Sequence, residues 1–395
     1  MTNPTGRRDE FPDFAWAVGE EGSDPLVLAD RVSYRQDQFA QSGHYTHVED
    51  DLGAIAGLGV KIVRYGAPWR LTEPTPGQYD WKLWDRALAG CAENGLEPVV
   101  DLLHFGMPDT FSGFADQRWV DAFCRYVDAF LDRYREPRWF TPINEPGVTA
   151  ENSGCHGIWN DRLASGPDHA RILANIVLAN LEALARIRDD RRGWWIGSEG
   201  FPVPVAIEPG AEAHVQAIRA WSWLVWDLHL GRDPLPSTAR YLDPVDGKVL
   251  ERIRSLAVTD RVVAGLDLYP TSIYPVGNAA PDWSVDERIA FAVAEFRRWH
   301  ERYGVPFWVA ETSNLSLGIE DQIPWLHSLV DGLRGLRDDG LPVRGLCWYS
   351  RGDQFDWQTE LVNPTGVVTE VGLFDAGRRP RPVAAAFARL ASQAL

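Results

Sequence analysis

The sequence predicts an α/β fold: a (β/α)8 TIM barrel built as a single domain over residues 1–395. Short β-rich runs alternate with longer helical patterns eight times. Most of these runs are continuously apolar rather than alternating, as strands covered on both faces are. No Gly-rich phosphate loop follows the first run, which argues against an open nucleotide-binding sheet. Strand–helix alternation implies parallel strands with right-handed crossovers, and eight such units favour closure.

The expected strands are Phe14–Gly19, Val60–Gly66, Glu97–His104, Trp139–Glu145, Trp194–Gly200, Val262–Pro270, Pro306–Ser313 and Val343–Ser350. The clearest helix follows the third: Trp119, Phe123, Tyr126, Val127, Phe130 and Tyr134 recur at spacings of three and four, leaving Asp121, Arg125, Asp128 and Arg133 on other faces. Similar patterns cover Trp81–Glu93, Pro167–Asp190, Ala211–Leu230, Asp286–Arg302 and Ile323–Asp338, and Pro382–Ala394 closes the chain. A length of 395 residues would ordinarily suggest more than one domain, but barrels commonly exceed that prior and no linker interrupts the pattern.

Composition narrows the function classes. A net charge of −17 argues against nucleic acid and anionic membranes, which need clustered Lys and Arg. No run is long and apolar enough to span a bilayer, and MTNPTGRRDEFPDF has no apolar core after its charges, so a cytoplasmic protein is expected. Cys91, Cys124, Cys155 and Cys347 show no CxxC pairing, so neither a metal site nor a disulfide framework is expected. No cofactor is expected. The 18 tryptophans suit a cleft that stacks sugar rings, although core filling explains most of them.

In a barrel, reactive groups sit at the C-terminal strand ends. Those ends supply Arg64, His104, Asn144-Glu145-Pro146, Glu199, Asp267, Tyr269, Glu311 and Trp348. Glu145 and Glu311 follow strongly apolar runs on the fourth and seventh strands, which lie across the mouth from one another. Two opposed carboxyls are what glycoside hydrolysis requires, about 5–5.5 Å apart for the retaining route. Arg64 would keep Glu311 ionised. Glu199 and Asp267 are further strand-end carboxylates, either of which could bind sugar hydroxyls.

TPINEP at Thr141–Pro146 resembles the Asn-Glu-Pro motif of glycoside hydrolase family 1 and its wider clan of barrels, and WVAETSN at Trp308–Asn314 resembles the clan's nucleophile segment. The resemblance implies a retaining β-glycosidase acting on small soluble β-glycosides or oligosaccharides, with Glu145 as acid/base, Glu311 as nucleophile and Asn144 on the sugar's 2-hydroxyl. LLHFGMP, GLDLYPTS and CWYSRGDQFDW extend the likeness. They imply His104 as a sugar ligand, Tyr269 as a hydrogen-bond donor to the nucleophile, Trp348 as the sugar platform, and Asp356 and Trp357 as readers of the outer hydroxyls. Three positions depart from the family: Thr312-Ser313 after Glu311, Asp267 where Asn is usual, and one extra residue before Asp356-Trp357. Transfer to an acceptor other than water and carbohydrate binding without catalysis are the rival functions.

Overall fold

A computed structural model describes residues 10–29, 32–191, 193–279 and 281–393. Residues 1–9, which hold most of the segment read above for a leader, and Ala394 lie outside the described residues. Eight parallel strands close into a barrel: β1 (Ala15–Gly19), β2 (Ile62–Gly66), β3 (Glu97–Asp101), β4 (Trp139–Thr141), β5 (Trp194–Ile196), β6 (Val262–Gly265), β7 (Phe307–Thr312) and β8 (Val343–Tyr349). Each pairs with its neighbours in chain order, and β8 returns to β1 with Gly19 opposite Tyr349.

Side-chain alternation sorts these strands into two layers. Ala15, Ala17, Ile62, Val99, Trp139, Ile196, Val263, Trp308, Cys347 and Tyr349 fill the lumen, and Phe11 plugs its lower end edge-on against Trp139 and Trp308. Val18, Val63, Tyr65, Val100, Phe140, Val309, Leu346 and Trp348 point outward into the layer shared with the helices. Helices at Lys82–Glu93, Arg118–Arg133, Gly166–Arg191, Glu212–His229, Val285–Tyr303, Gln322–Asp338 and Pro382–Ala391 cover that layer.

Regular pairing stops earlier than the apolar runs do. β4 ends at Thr141, four residues before Glu145, and β5 ends at Ile196, before Glu199. Beyond these ends single backbone bonds continue between neighbours, Asn144 N to Leu103 O at 2.9 Å, Glu145 N to Ser198 O at 3.1 Å and Asp267 N to Glu199 O at 2.9 Å. Helices at His44–Gly57, Pro146–Gly154 and Gly247–Leu256 and a hairpin, Leu26–Ala29 with Val32–Arg35, add to the expected elements. Val203–Ala206 and Ile273–Val276 form a second parallel pair beside the rim.

Candidate active site

Arg64 occupies the lumen between outward-facing Val63 and Tyr65, at 1% exposure. Its guanidinium donates to Glu311 Oε1, to Asn144 Oδ1, and to Asp101 Oδ2 at 2.8 Å. Asp101 Oδ2 also faces His104 Nδ1 at 2.8 Å, and His104 Nε2 meets the Asn144 amide nitrogen at 2.9 Å. With Asn144 Oδ1 taken by Arg64, its NH2 points at His104 Nε2, so the imidazole proton sits on Nδ1. Burial opposes a second proton on His104, but Asp101 and Glu21 outweigh it and raise its pKa. These groups form a closed ring of charge-assisted hydrogen bonds beneath the mouth.

Glu311 reaches the lumen through an irregularity in its strand. Trp308 and Ala310 face inward and Thr312 faces outward, its hydroxyl accepting from Trp325 Nε1 at 2.9 Å. The β7–β8 register shifts between Val309 and Thr312. That bulge turns Glu311 inward instead of outward. Arg64 holds one of its oxygens, and Tyr269 Oη donates to the other at 2.8 Å.

Glu145 sits in the left-handed backbone region at φ 39°, a conformation that costs a non-glycine residue roughly 1–2 kcal/mol. Helix Pro146–Gly154 starts directly after it. Glu199 accepts from the first amides of that helix, Gly147 at 2.7 Å and Val148 at 3.3 Å, and from Gly200 at 3.0 Å. Burial pushes the Glu199 carboxyl up to about 8. Its oxygens brace the loop that carries Glu145, which places Glu199 beside the acid cluster rather than across from it.

One oxygen from each of Glu145, Asp267 and Glu311 lies within 4.8 Å of the others. Burial raises the Glu145 pKa well above the carboxylate range, and the Asp267, Glu311 and Glu199 charges add to the rise. Asp267 is raised as well, by burial first and the Glu311 charge second. The four strand ends therefore present an ion-paired carboxylate facing a carboxyl that resists ionisation.

The structure corrects several expectations. Trp348 is not a sugar platform: it points outward into the helix layer, fully buried, with Nε1 donating to Val371 O at 3.0 Å. Tyr349, one residue on, takes the lumen position, its ring centroid 5.2 Å from the Arg64 guanidinium carbon and near-parallel to His104. A Cβ at Gly19 would overlap that ring, so glycine is what admits it. Asp356 is not free to read hydroxyls. Thr365 Oγ1 at 2.7 Å and the amides of Gly366 and Val367 at 3.0 and 2.9 Å occupy it, along with Gln36 Nε2 at 3.2 Å. It ties its own loop together. Arg351, whose sequence context suggests a solvated loop residue, is buried on Glu20 and Asp51.

A cavity of 440 Å³ opens from this cluster. Glu145, Asp267, Tyr269, Glu311 and Trp357 line its reactive end, as does Gln354, whose amide donates to Glu21 at 3.2 Å. Val148, Leu173, Phe201, Ile218, Trp221 and Val225 line the other. Arg64, His104 and Asn144 lie behind this lining. Among the described residues the buried Trp357 Nε1 has no hydrogen-bond partner. Sequence reasoning missed Glu21, Asp101, Ser198, Tyr349 and Gln354; counting alternation forward from Cys347 would have found Tyr349.

The model for glycosyl hydrolase family 1 matches residues 28–220. Klotho from Mus musculus is 29% identical over 150 residues, 35% of this chain, and the chain spans only 14% of klotho. β-Glucosidase 1B from Phanerodontia chrysosporium is 22% identical over 392 residues, 82% of this chain and 72% of that protein. Family 1 β-glucosidase from Thermotoga maritima superposes with a TM-score of 0.80 at 16% identity, over 97% of this chain and 98% of that one, and has also been solved with isofagomine lactam. The chain is a glycoside hydrolase family 1-like (β/α)8 barrel.

Proposed function

We propose that the whole chain works as one catalytic barrel, a retaining β-glycosidase for small β-glycosides or oligosaccharides. One observation carries the reading: Glu145 and Glu311 present oxygens within 4.8 Å of each other from opposite sides of the lumen. Oxygens this close are compatible with the retaining arrangement, whose carboxyls stand about 5–5.5 Å apart.

Glu311, paired with Arg64 and Tyr269, attacks the anomeric carbon. As the new ester bond forms, the bond to the leaving oxygen breaks and Glu145 delivers its proton to that oxygen. Ionised Glu145 then takes a proton from water, whose oxygen attacks the same carbon and returns Glu311 as a carboxylate. Tyr269, Gln354 and Trp357, which line the cavity, meet the glycone in this reading, while His104 and Asn144 hold Arg64 and the floor of the site from behind. The apolar far wall supports an aglycone that carries hydrocarbon or aromatic surface.

The test is release of nitrophenol from a panel of aryl β-glycosides by the wild type and Glu311→Ala. Activity in the wild type alone is expected. Undiminished activity in the variant would remove Glu311 from the mechanism, and a rate raised by azide in the variant would support it.

A further inference from the structure

The resemblance to family 1 leaves Asp267 unexplained, because an Asn usually stands there. An amide can donate a hydrogen bond but cannot take up a proton; a carboxylate can. Asp267 is 1% exposed and receives the Ser198 hydroxyl at 2.6 Å on Oδ2, while its buried Oδ1 has no hydrogen-bond partner among the described residues. Glu145 and Asp267, both buried, present oxygens within 4.8 Å of one another, a closeness that disfavours ionising both at once.

We propose that Asp267 is a positioning residue for proton transfer: it shares one proton with Glu145 and so keeps the acid/base loaded before substrate arrives. The inference rests on Glu145 being the acid/base. The groups facing the pair are Arg64 from β2, Ser198 and Glu199 after β5, Tyr269 after β6 and Glu311 on β7. Arg64 is the one cation among them, and it is already engaged by Glu311 and Asp101. Among the described residues no Lys, Arg or His forms an ion pair with Glu145 or Asp267. Two buried carboxyls without a counterion retain a proton between them, as paired acids in low dielectric do.

The same arrangement serves the second half of the reaction. Once Glu311 is esterified its charge is gone, and the proton of the pair has left with the aglycone. Glu145 and Asp267 then face one fewer anion, which permits both to be ionised while Glu145 draws the proton from water.

The test compares pH profiles of kcat/KM for the wild type and Asp267→Asn on an unactivated alkyl β-glycoside, whose poor leaving group demands the proton. Removing a neighbouring negative charge lowers the Glu145 pKa. The alkaline limb of the variant should therefore move to lower pH by about one unit or more. An unmoved limb accompanied by a higher KM would mean that Asp267 only contacts sugar, and would overturn the proposal. Infrared difference spectra of the folded proteins without substrate give a reading independent of turnover. In the wild-type minus Glu145→Gln difference at neutral pH the Glu199 band cancels, and a remaining protonated-carboxyl band that Asp267→Asn shifts is expected; no band in that difference would overturn the proposal. Should no glycoside be turned over at all, the infrared result still decides the shared proton, while the functional reading fails separately.

Discussion

Two sides of one barrel mouth handle charge in opposite ways. On the side of β2 to β4, Arg64 is surrounded by Asp101, Asn144 and His104, and its two terminal nitrogens and both His104 ring nitrogens are engaged. On the side of β4 to β7, Glu145, Asp267 and Glu199 crowd together with no cation of their own. The first side contributes rigidity, since a satisfied buried network has one low-energy arrangement. The second holds protons that its surroundings make expensive to release. Glu311 belongs to both, ion-paired by Arg64 and within reach of the acid side. The contrast separates position from proton handling, and variants on the two sides should fail differently.

The largest effect on turnover, with the least on folding, is expected from Glu145→Ala. Removing the proton donor should lower kcat/KM on alkyl glycosides by about 10²–10⁴-fold. Activated nitrophenyl substrates should suffer much less, because their leaving groups depart without help. Thermal melting should hold steady or rise, since the alanine relieves a crowd of like charges. A melting point well below wild type would show that the acid side also holds the fold.

Asp101→Ala should behave in the opposite sense. It strips Arg64 and His104 of a shared partner, and breaking a buried ion pair from one side costs about 3–5 kcal/mol. Melting or denaturant titration should report a loss of that size, together with slower turnover as Glu311 loses its fixed position. A stable variant with normal melting would break the distinction drawn here. The smallest effect should come from Trp348→Phe, which lies outside the lumen. It should lose about 1 kcal/mol with the indole hydrogen bond to Val371 and leave KM where it was. A raised KM would return Trp348 to the sugar.

What could be read in advance follows the same division. The eight strands were legible because burial on both faces makes them continuously apolar, and Glu145 and Glu311 were legible as charges ending such runs. Helix His44–Gly57 was hidden by a break in regular geometry at His47 and by the hairpin that delays it after β1. The pair Val203–Ala206 and Ile273–Val276 carries Pro204 and Pro275, residues that count against a strand. Trp348 and Tyr349 differ by one position, and strand periodicity sends neighbours to opposite faces, so an assignment off by one residue picks the wrong ring. Asp356 sits where a sugar ligand was expected, but the amides of Gly366 and Val367 and the Thr365 hydroxyl reach it from the far end of its own loop. No spacing in the sequence announces that closure. Asp267 was visible as a strand-end acid; its closeness to Glu145, within 4.8 Å between oxygens, joins residues 122 positions apart and was not.

The central claim is a covalent glycosyl ester on Glu311. Incubation with a 2-deoxy-2-fluoro β-glycoside bearing a good leaving group, matched to the sugar preferred in the aryl panel, slows breakdown of that ester enough to weigh it. The expected result is an intact-protein mass raised by one fluoroglycosyl group and a peptide map that places it on Glu311. Turnover of the parent glycoside with no trapped adduct and an inverted first-formed anomer, or a label on another residue, would contradict it.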